Sequence, residues 1–282
     1  MMEIARTRGA LGKLRRRADI DPAEVDRLQR AFQERPASLR TLKKDRKASV
    51  YTGLSLGATP VCLKLYPNIR RGRRGFASLA GLWSAGVPVA QPFFLWERPR
   101  GLGSGAIVAM EDLAPRRELD RWLCAKLAEE SRPSRLAGAS RAAGPAGPTI
   151  LRAAAALGAL LRRLHDDGVY LDDLKTCNIF IDDREPPGFR FVDVDNARRG
   201  RPVTARRRIK NLAQLNRSTP LAAGLSVRRA FWAAYALGLA PKDARRIRRA
   251  AGYFSAERPI VYVTSSGDRT EAWPRTAWEW PR

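Results

Sequence analysis

The sequence predicts an α+β chain, with a small β-rich N-terminal portion and a larger, mainly helical C-terminal portion. Three observations predict it. Between Leu39 and Leu113, apolar residues alternate or run in short blocks broken by polar turns, around one stretch of helical spacing. "TILRAAAALGALLRRLHDDG" puts Leu157, Leu160, Leu161 and Leu164 at helical spacing and stops at Gly168, and a second helical region runs from "IKNLAQLNRS" to about Gly252. Between them lie two short apolar runs, "NIFID" and "FRFVDVD", joined by "DDREPPG", which read as a hairpin.

In chain order, residues 1–35 read as a basic helical leader, with Asp21 as the N-cap and Pro22 at the first helical position. Residues 36–112 hold the strands "LRTLKKD", "ASVYTGLSL" and "PVCLKLY", the helix "FASLAGLWSAG" closed by Gly86, and the strands "VPVAQPFFLWE" and "GAIVAMEDL". Residues 113–258 form the helical portion, interrupted by a Gly/Pro/Ala/Arg-rich insertion at 131–148. Residues 259–282 are a tail in which "PIVYV" is a short strand. Its tryptophans Trp273, Trp278 and Trp280 are expected to pack on the core rather than anchor at a membrane interface.

Composition narrows the function classes. The 282 residues carry 53 basic and 28 acidic side chains, a net charge of +25, with 44% hydrophobic residues. That is enough apolar material for a sizeable core, and the field favours anionic partners. The three cysteines are far apart and His165 is the only histidine, which argues against a zinc site, a disulfide framework or a histidine-dependent triad. The longest apolar stretch, Ala153 to Leu161, is too short to span a bilayer, and "MMEIARTRGALGKLRRR" lacks the apolar segment of a signal peptide. A cytoplasmic protein is expected, peripheral on a membrane if the basic faces meet one.

The chemistry sits in "YLDDLKTCNIFID", residues 170–182. Asp173 and Asn178 stand five positions apart in a loop between a helix end and a hairpin, and Asp193 ends the second run of that hairpin. Phosphoryl transfer needs this set: one carboxylate to orient and deprotonate an attacking hydroxyl, and an amide oxygen with a second carboxylate to hold Mg²⁺ on nucleotide phosphates. Lys175 would lie near the transferred phosphate, where a cation stabilises developing charge. Each feature alone is commonplace. Together they follow the order of the protein-kinase signature H-R-D-L-x-x-x-N, with "VCLK" upstream in the place of V-A-I-K and "FVDVD" in that of D-F-G. Lys64 is then the nucleotide lysine, and Asp193, directly after the apolar run, is preferred over Asp195 as the metal ligand.

The segments "TLKKDRKASVYTGLSLG", "VCLKLY", "GVPVAQP", "LRRLHDDGVYLDDLKTCNIFID", "FVDVDNARRG", "NLAQLNRS" and "FWAAY", across about residues 38 to 240, resemble the lipopolysaccharide core kinases, the Kdo kinase and heptose kinase family. The resemblance implies a protein-kinase-like, two-lobed fold and an ATP- and Mg²⁺-dependent enzyme at the inner membrane that phosphorylates a lipopolysaccharide core sugar or a related anionic sugar. By position it implies Asp173 as catalytic base, Asn178 and Asp193 as metal ligands, and Lys64 on the nucleotide. "MEDL", with Met110, Glu111 and Leu113, is implied as the hinge that reads adenine through backbone groups. Leu171 stands where the family has His. Gly75, or a neighbour, stands where a helix glutamate pairs with the lysine. The helix "RRGFASLAGL" has no acid, so Lys64 lacks that partner, and Asp193 is the nearest substitute. There is no G-x-G-x-x-G; "KKDRKAS" would cover the phosphates with side chains and amides.

Another small-molecule phosphotransferase or a nucleotide-binding pseudokinase would use the same residues. A site for a cationic substrate suits a +25 chain poorly. A basic nucleic-acid-binding protein would explain the charge but not the Asp173, Asn178 and Asp193 set, so no nucleic-acid partner is expected. The arginine runs at 70–74, 205–210 and 245–249 read as solvated faces, some of which would meet phosphates. His165 and Cys177 are expected to have structural roles.

Overall fold

The computed structural model describes residues 2–9, 12–98, 105–130, 146–264 and 267–273. Most of the expected insertion, and Trp278 and Trp280, lie outside the described residues. The chain divides into two compact units: Met1–Ala114 with Val194–Asn196, and Pro115–Asp193 with Ala197–Arg282.

The first unit is built on an antiparallel sheet of seven strands: β1 (Ile4–Gly9), β2 (Gly12–Arg17), β3 (Arg40–Lys44), β4 (Ser49–Leu56), β5 (Thr59–Tyr66), β6 (Pro92–Arg98) and β7 (Gly105–Glu111). Their spatial order is β1-β2-β6-β7-β5-β4-β3. Two helices accompany it, α1 (Pro22–Glu34) and α2 (Ile69–Ser84). The basic leader departs from its expected helical form. Ile4–Gly9 and Gly12–Arg17 are antiparallel strands, the second of which pairs with β6, and among the described residues of the leader only Pro22–Glu34 is helical. Asp21 caps that helix as expected, its side chain accepting from the Ala23 amide. Leu14, buried among Val25, Leu28, Leu63 and Trp96, shows why the strand pair joins the sheet: its apolar residue completes the core. Helix α2 begins at Ile69 behind the cap Asn68, so the run Arg70–Arg74 forms its first turns. Arg73 is no merely solvated residue. It makes two bonds, 2.8 and 2.6 Å, to the buried Glu97 of β6, whose carboxyl it holds below the usual range.

The second unit contains β8 (Arg117–Glu118), α3 (Leu119–Glu130), α4 (Pro148–Asp166), β9 (Ile179–Ile181), β10 (Phe189–Phe191), α5 (Ala205–Ser218), α6 (Gly224–Ala236), α7 (Pro241–Ala256), β11 (Ile260–Thr264) and β12 (Gly267–Glu271). The expected hairpin is β9–β10, with Phe191 opposite Ile179. α4 packs on α6 so closely that a Cβ at Gly158 would lie 2.3 Å from the Phe231 carbonyl oxygen. The tail is tied to this unit. Its β11 amide at Val263 donates to the buried Asp120, 2.8 Å, and Glu271 of β12 accepts from the Leu221 amide, 2.9 Å. Trp273 donates to the Arg258 carbonyl and lies under the Arg228 guanidinium. No helix among the described residues is long and apolar enough to cross a membrane.

Candidate active site

In the second unit, Gly168 ends the α4 region at φ 74°, a conformation that an L side chain adopts with strain, and the chain turns into the loop at Tyr170. Tyr170 bridges to Arg198, with amides and carbonyls exchanged at 2.9 Å. The loop is irregular from Leu171 to Lys175, makes one 3-10 turn at Thr176–Asn178, and enters β9. Asp173 is half exposed, and Lys175 Nζ lies 3.0 Å from its Oδ1 and 3.1 Å from its Oδ2. Asn178 donates through Nδ2 to the Asp173 carbonyl at 2.9 Å. A carbonyl can only accept, so this bond fixes the amide and turns Oδ1 away, where its neighbour is the Cys177 thiol at 3.9 Å. An oriented amide oxygen of this kind suits a hard cation.

The β9–β10 register continues one step, since the Val192 amide donates to the Asn178 carbonyl at 3.0 Å. Asp193 follows at once, at φ 55°. A non-glycine residue in the left-handed region is uncommon and marks a backbone held against its preference. The hairpin thus brings Asn178 and Asp193 to neighbouring places. Among the described residues no three His, Cys, Asp or Glu side chains cluster as a metal cage. Mg²⁺ needs none, because it binds through one or two carboxylates and completes its shell with phosphate oxygens and water.

In the first unit, Lys64 and Tyr66 stand two apart on β5, and therefore on one face. Lys64 Nζ donates to both oxygens of Asp195, at 3.0 and 3.1 Å, and Tyr66 Oη donates to Asp195 Oδ1 at 2.7 Å. The lysine and aspartate side chains are only 12% and 11% exposed. Sequence reasoning looked to Asp193 for the partner of Lys64; the carboxylate this unit supplies is Asp195. Gly75 of α2 faces this group, and there is no room there for a side chain. A Cβ there would come within 2.7 Å of Tyr66 Oη and 3.2 Å of Asp195 Oδ1. α2 grips the same segment through Ser78, whose hydroxyl donates to the Val194 carbonyl at 2.6 Å.

In two segments expected to contact the nucleotide, some backbone amides are already bonded within the protein. In "KKDRKAS", Asp45 Oδ1 already accepts from the Lys47 and Ala48 amides, at 2.6 and 2.9 Å, and these bonds hold its carboxyl down at about 2. Those two amides are therefore occupied by the turn itself. In the "MEDL" segment, Met110 and Glu111 close β7 and Leu113 is buried, but the Glu111 amide donates to the Gln91 carbonyl and the Asp112 amide to that of Pro60. Adenine would have to use other backbone groups here. An apolar cavity lined by Trp122, Leu123, Ile150, Leu157 and Phe231 includes none of the site residues.

The structural role expected of His165 is found, and what sequence reasoning missed are the α5 side chains, Lys210 among them, that join it in supporting the loop. His165 is buried and bonds Tyr235 and Asn211; Lys210 pairs with Asp172 at 2.9 Å. Arg208 reaches the His165 carbonyl and Asp166, so part of the 205–210 basic run is structural. The lone histidine and the polar residues in "NLAQLNRS" were the available signals.

The model of the lipopolysaccharide kinase (Kdo/WaaP) family matches residues 66–238, more than half of the chain. The chain belongs to that family. This lipopolysaccharide kinase is also similar in fold to the solved structure of WaaP in complex with acyl carrier protein, at a TM-score of 0.56 and 18% identity over 83% of this chain and 97% of that one. A Stt7 homolog from Micromonas algae, soaked with ATP, aligns at a TM-score of 0.39 and 16% identity, over 68% of this chain and 56% of that one. A search of curated proteins finds no match. The kinase therefore has the protein-kinase-like α+β fold that its sequence predicted. The matched range begins at Tyr66 and does not include Lys64.

Proposed function

We propose that this lipopolysaccharide kinase transfers the γ-phosphoryl group of ATP to a hydroxyl of a core sugar, Kdo or heptose. The observation that carries this reading is the bond from Asn178 to the Asp173 carbonyl. Through it, one short loop presents a half-exposed carboxylate and an oriented amide oxygen together. Asp173 is assigned to accept and orient the acceptor proton. Asn178 and Asp193 would hold Mg²⁺, which supplies charge neutralisation at the phosphates. Lys64 is assigned to the nucleotide phosphates. Lys175, paired with Asp173 in this state, is assigned to the transferred group. The enzyme works at a cytoplasmic membrane face, where its basic surface meets anionic lipid and the phosphorylated acceptor.

The test is ATP consumption by the purified protein with isolated lipopolysaccharide core acceptors, followed by mass mapping of the added phosphate. Phosphate on a core sugar, dependent on Mg²⁺, is expected. Mg²⁺-dependent ATP binding without transfer to any core sugar would replace this reading with that of a nucleotide-binding pseudokinase.

A further inference from the structure

Helix α5 buries Asn211, Gln214, Asn216 and Ser218, a polar load that costs free energy unless every group is bonded. Three of these residues, at spacings of three and four, share one face of the helix. That face follows the catalytic loop in register. Asn211 Nδ2 donates to the Leu171 carbonyl at 2.5 Å. Gln214 Nε2 donates to the Asp172 carbonyl at 2.9 Å and lies 3.5 Å from Asp173 Oδ1. Ser218 Oγ accepts from the Thr176 amide at 2.9 Å, and Thr176 Oγ1 returns a bond to the Ser218 carbonyl at 2.6 Å. Between Leu171 and Lys175 the loop backbone is irregular, so these side-chain bonds take the place of a sheet or helix ladder.

His165 completes the arrangement. Its Nε2 is 3.1 Å from Asn211 Oδ1, and its Nδ1 is 2.8 Å from Tyr235 Oη. Because Asn211 turns its donor side to a carbonyl, its oxygen must face the imidazole. Nε2 then carries the proton, and Tyr235 donates to Nδ1.

We propose that Asn211, Gln214 and Ser218 are a positioning template that sets the height of Asp173, with neutral His165 as the peg that orients Asn211. The template supplies from α5 what the loop lacks in its own sequence, where Leu171 and Asp172 stand in place of His and Arg. It rests on the reading of Asp173 as the base. These are positioning residues; none needs to touch the nucleotide.

The experiment uses Gln214→Met, which keeps length and bulk but removes the donor, with Gln214→Glu as a second variant that also removes it. Each is measured for kcat, for KM of ATP, for melting temperature and for backbone hydrogen exchange at Lys175 and Thr176. The expected result is a kcat at least about tenfold lower, because small displacements of a reacting group are costly. KM for ATP stays within about twofold and the melting temperature near wild type, while exchange quickens at Lys175 and Thr176 and not in the core of α4. Unchanged kcat overturns the proposal. So does a loss of kcat accompanied by a lower melting temperature and faster exchange throughout the unit, which is the signature of mere packing. If wild type turns over no core sugar, the functional reading fails separately and the exchange measurement decides. Faster exchange confined to the loop upholds the template, and unaltered exchange overturns it.

Discussion

Asp173 is the residue on which turnover should depend most. Asp173→Asn keeps the shape and removes the basicity, so kcat should fall by about two orders of magnitude or more. The ATP-induced rise in melting temperature should persist, since other residues are assigned to the nucleotide; wild-type turnover in this variant would refute the assignment. His165 makes a separate prediction. Burial pushes its pKa down to about 4 from the ordinary 6.5, against the bond to Asn211, which pulls it upward. The unfolded chain therefore binds the proton at a higher pH than the folded one. Stability is full above about pH 6.5 and is lost as pH falls from there toward 4, by a few kcal/mol, on the order of 3. Denaturant unfolding measured across that window should show the slope in wild type. It should show a shallower slope in His165→Gln, with the variant less stable at neutral pH because Tyr235 and Asn211 lose their shaped partner.

At the scale of elements, α2 and β5 are built around the absence of a side chain at Gly75. Gly75→Ala would favour the helix by up to about 1 kcal/mol on propensity alone. It would also drive a methyl group against the buried hydroxyl of Tyr66, which sits on a stiff, 1% exposed ring and cannot move aside cheaply. The bonds among Tyr66, Asp195 and Lys64 should be disturbed, and the melting shift produced by Mg²⁺-ATP should shrink. An undiminished shift would show that this triad does not serve the nucleotide. The triad also changes what is expected of Lys64. A lysine held by two carboxylate bonds is preorganised, so the lack of an acid on α2 leaves it oriented all the same.

For the whole molecule, the net charge of +25 is the governing quantity, although several arginines counted in it are tied down as braces. Arg73 is paired with Glu97, Arg208 with Asp166, and Arg228 is buried with its pKa lowered to about 10 by desolvation. The exposed remainder should still bring the protein to anionic vesicles. Cosedimentation with phosphatidylserine- or cardiolipin-containing vesicles should fall steeply between low and physiological salt, and neutral vesicles should not bind. Salt-independent binding would point instead to apolar contacts such as the exposed Tyr253 and Phe254 of α7.

The sequence by itself determined the α+β class, the β9–β10 hairpin and the Asp173–Asn178 loop. Each of these is written locally, in apolar periodicity, in turn residues and in a spacing only five positions long. It also pointed to the kinase family, which the match over residues 66–238 establishes. The tertiary structure alone decided three matters. Residues 4–9 and 12–17 are strands because β6 offered an edge and the core accepted Leu14, where a helical leader was expected. Asp195 reached Lys64 across 131 positions, a pairing that no local pattern encodes. The polar face of α5 acquired its meaning only when it lay along the loop. Until then Asn211, Gln214 and Ser218 were unremarkable polar residues in a helix, because what a buried polar group does is set by the partner that folding brings to it.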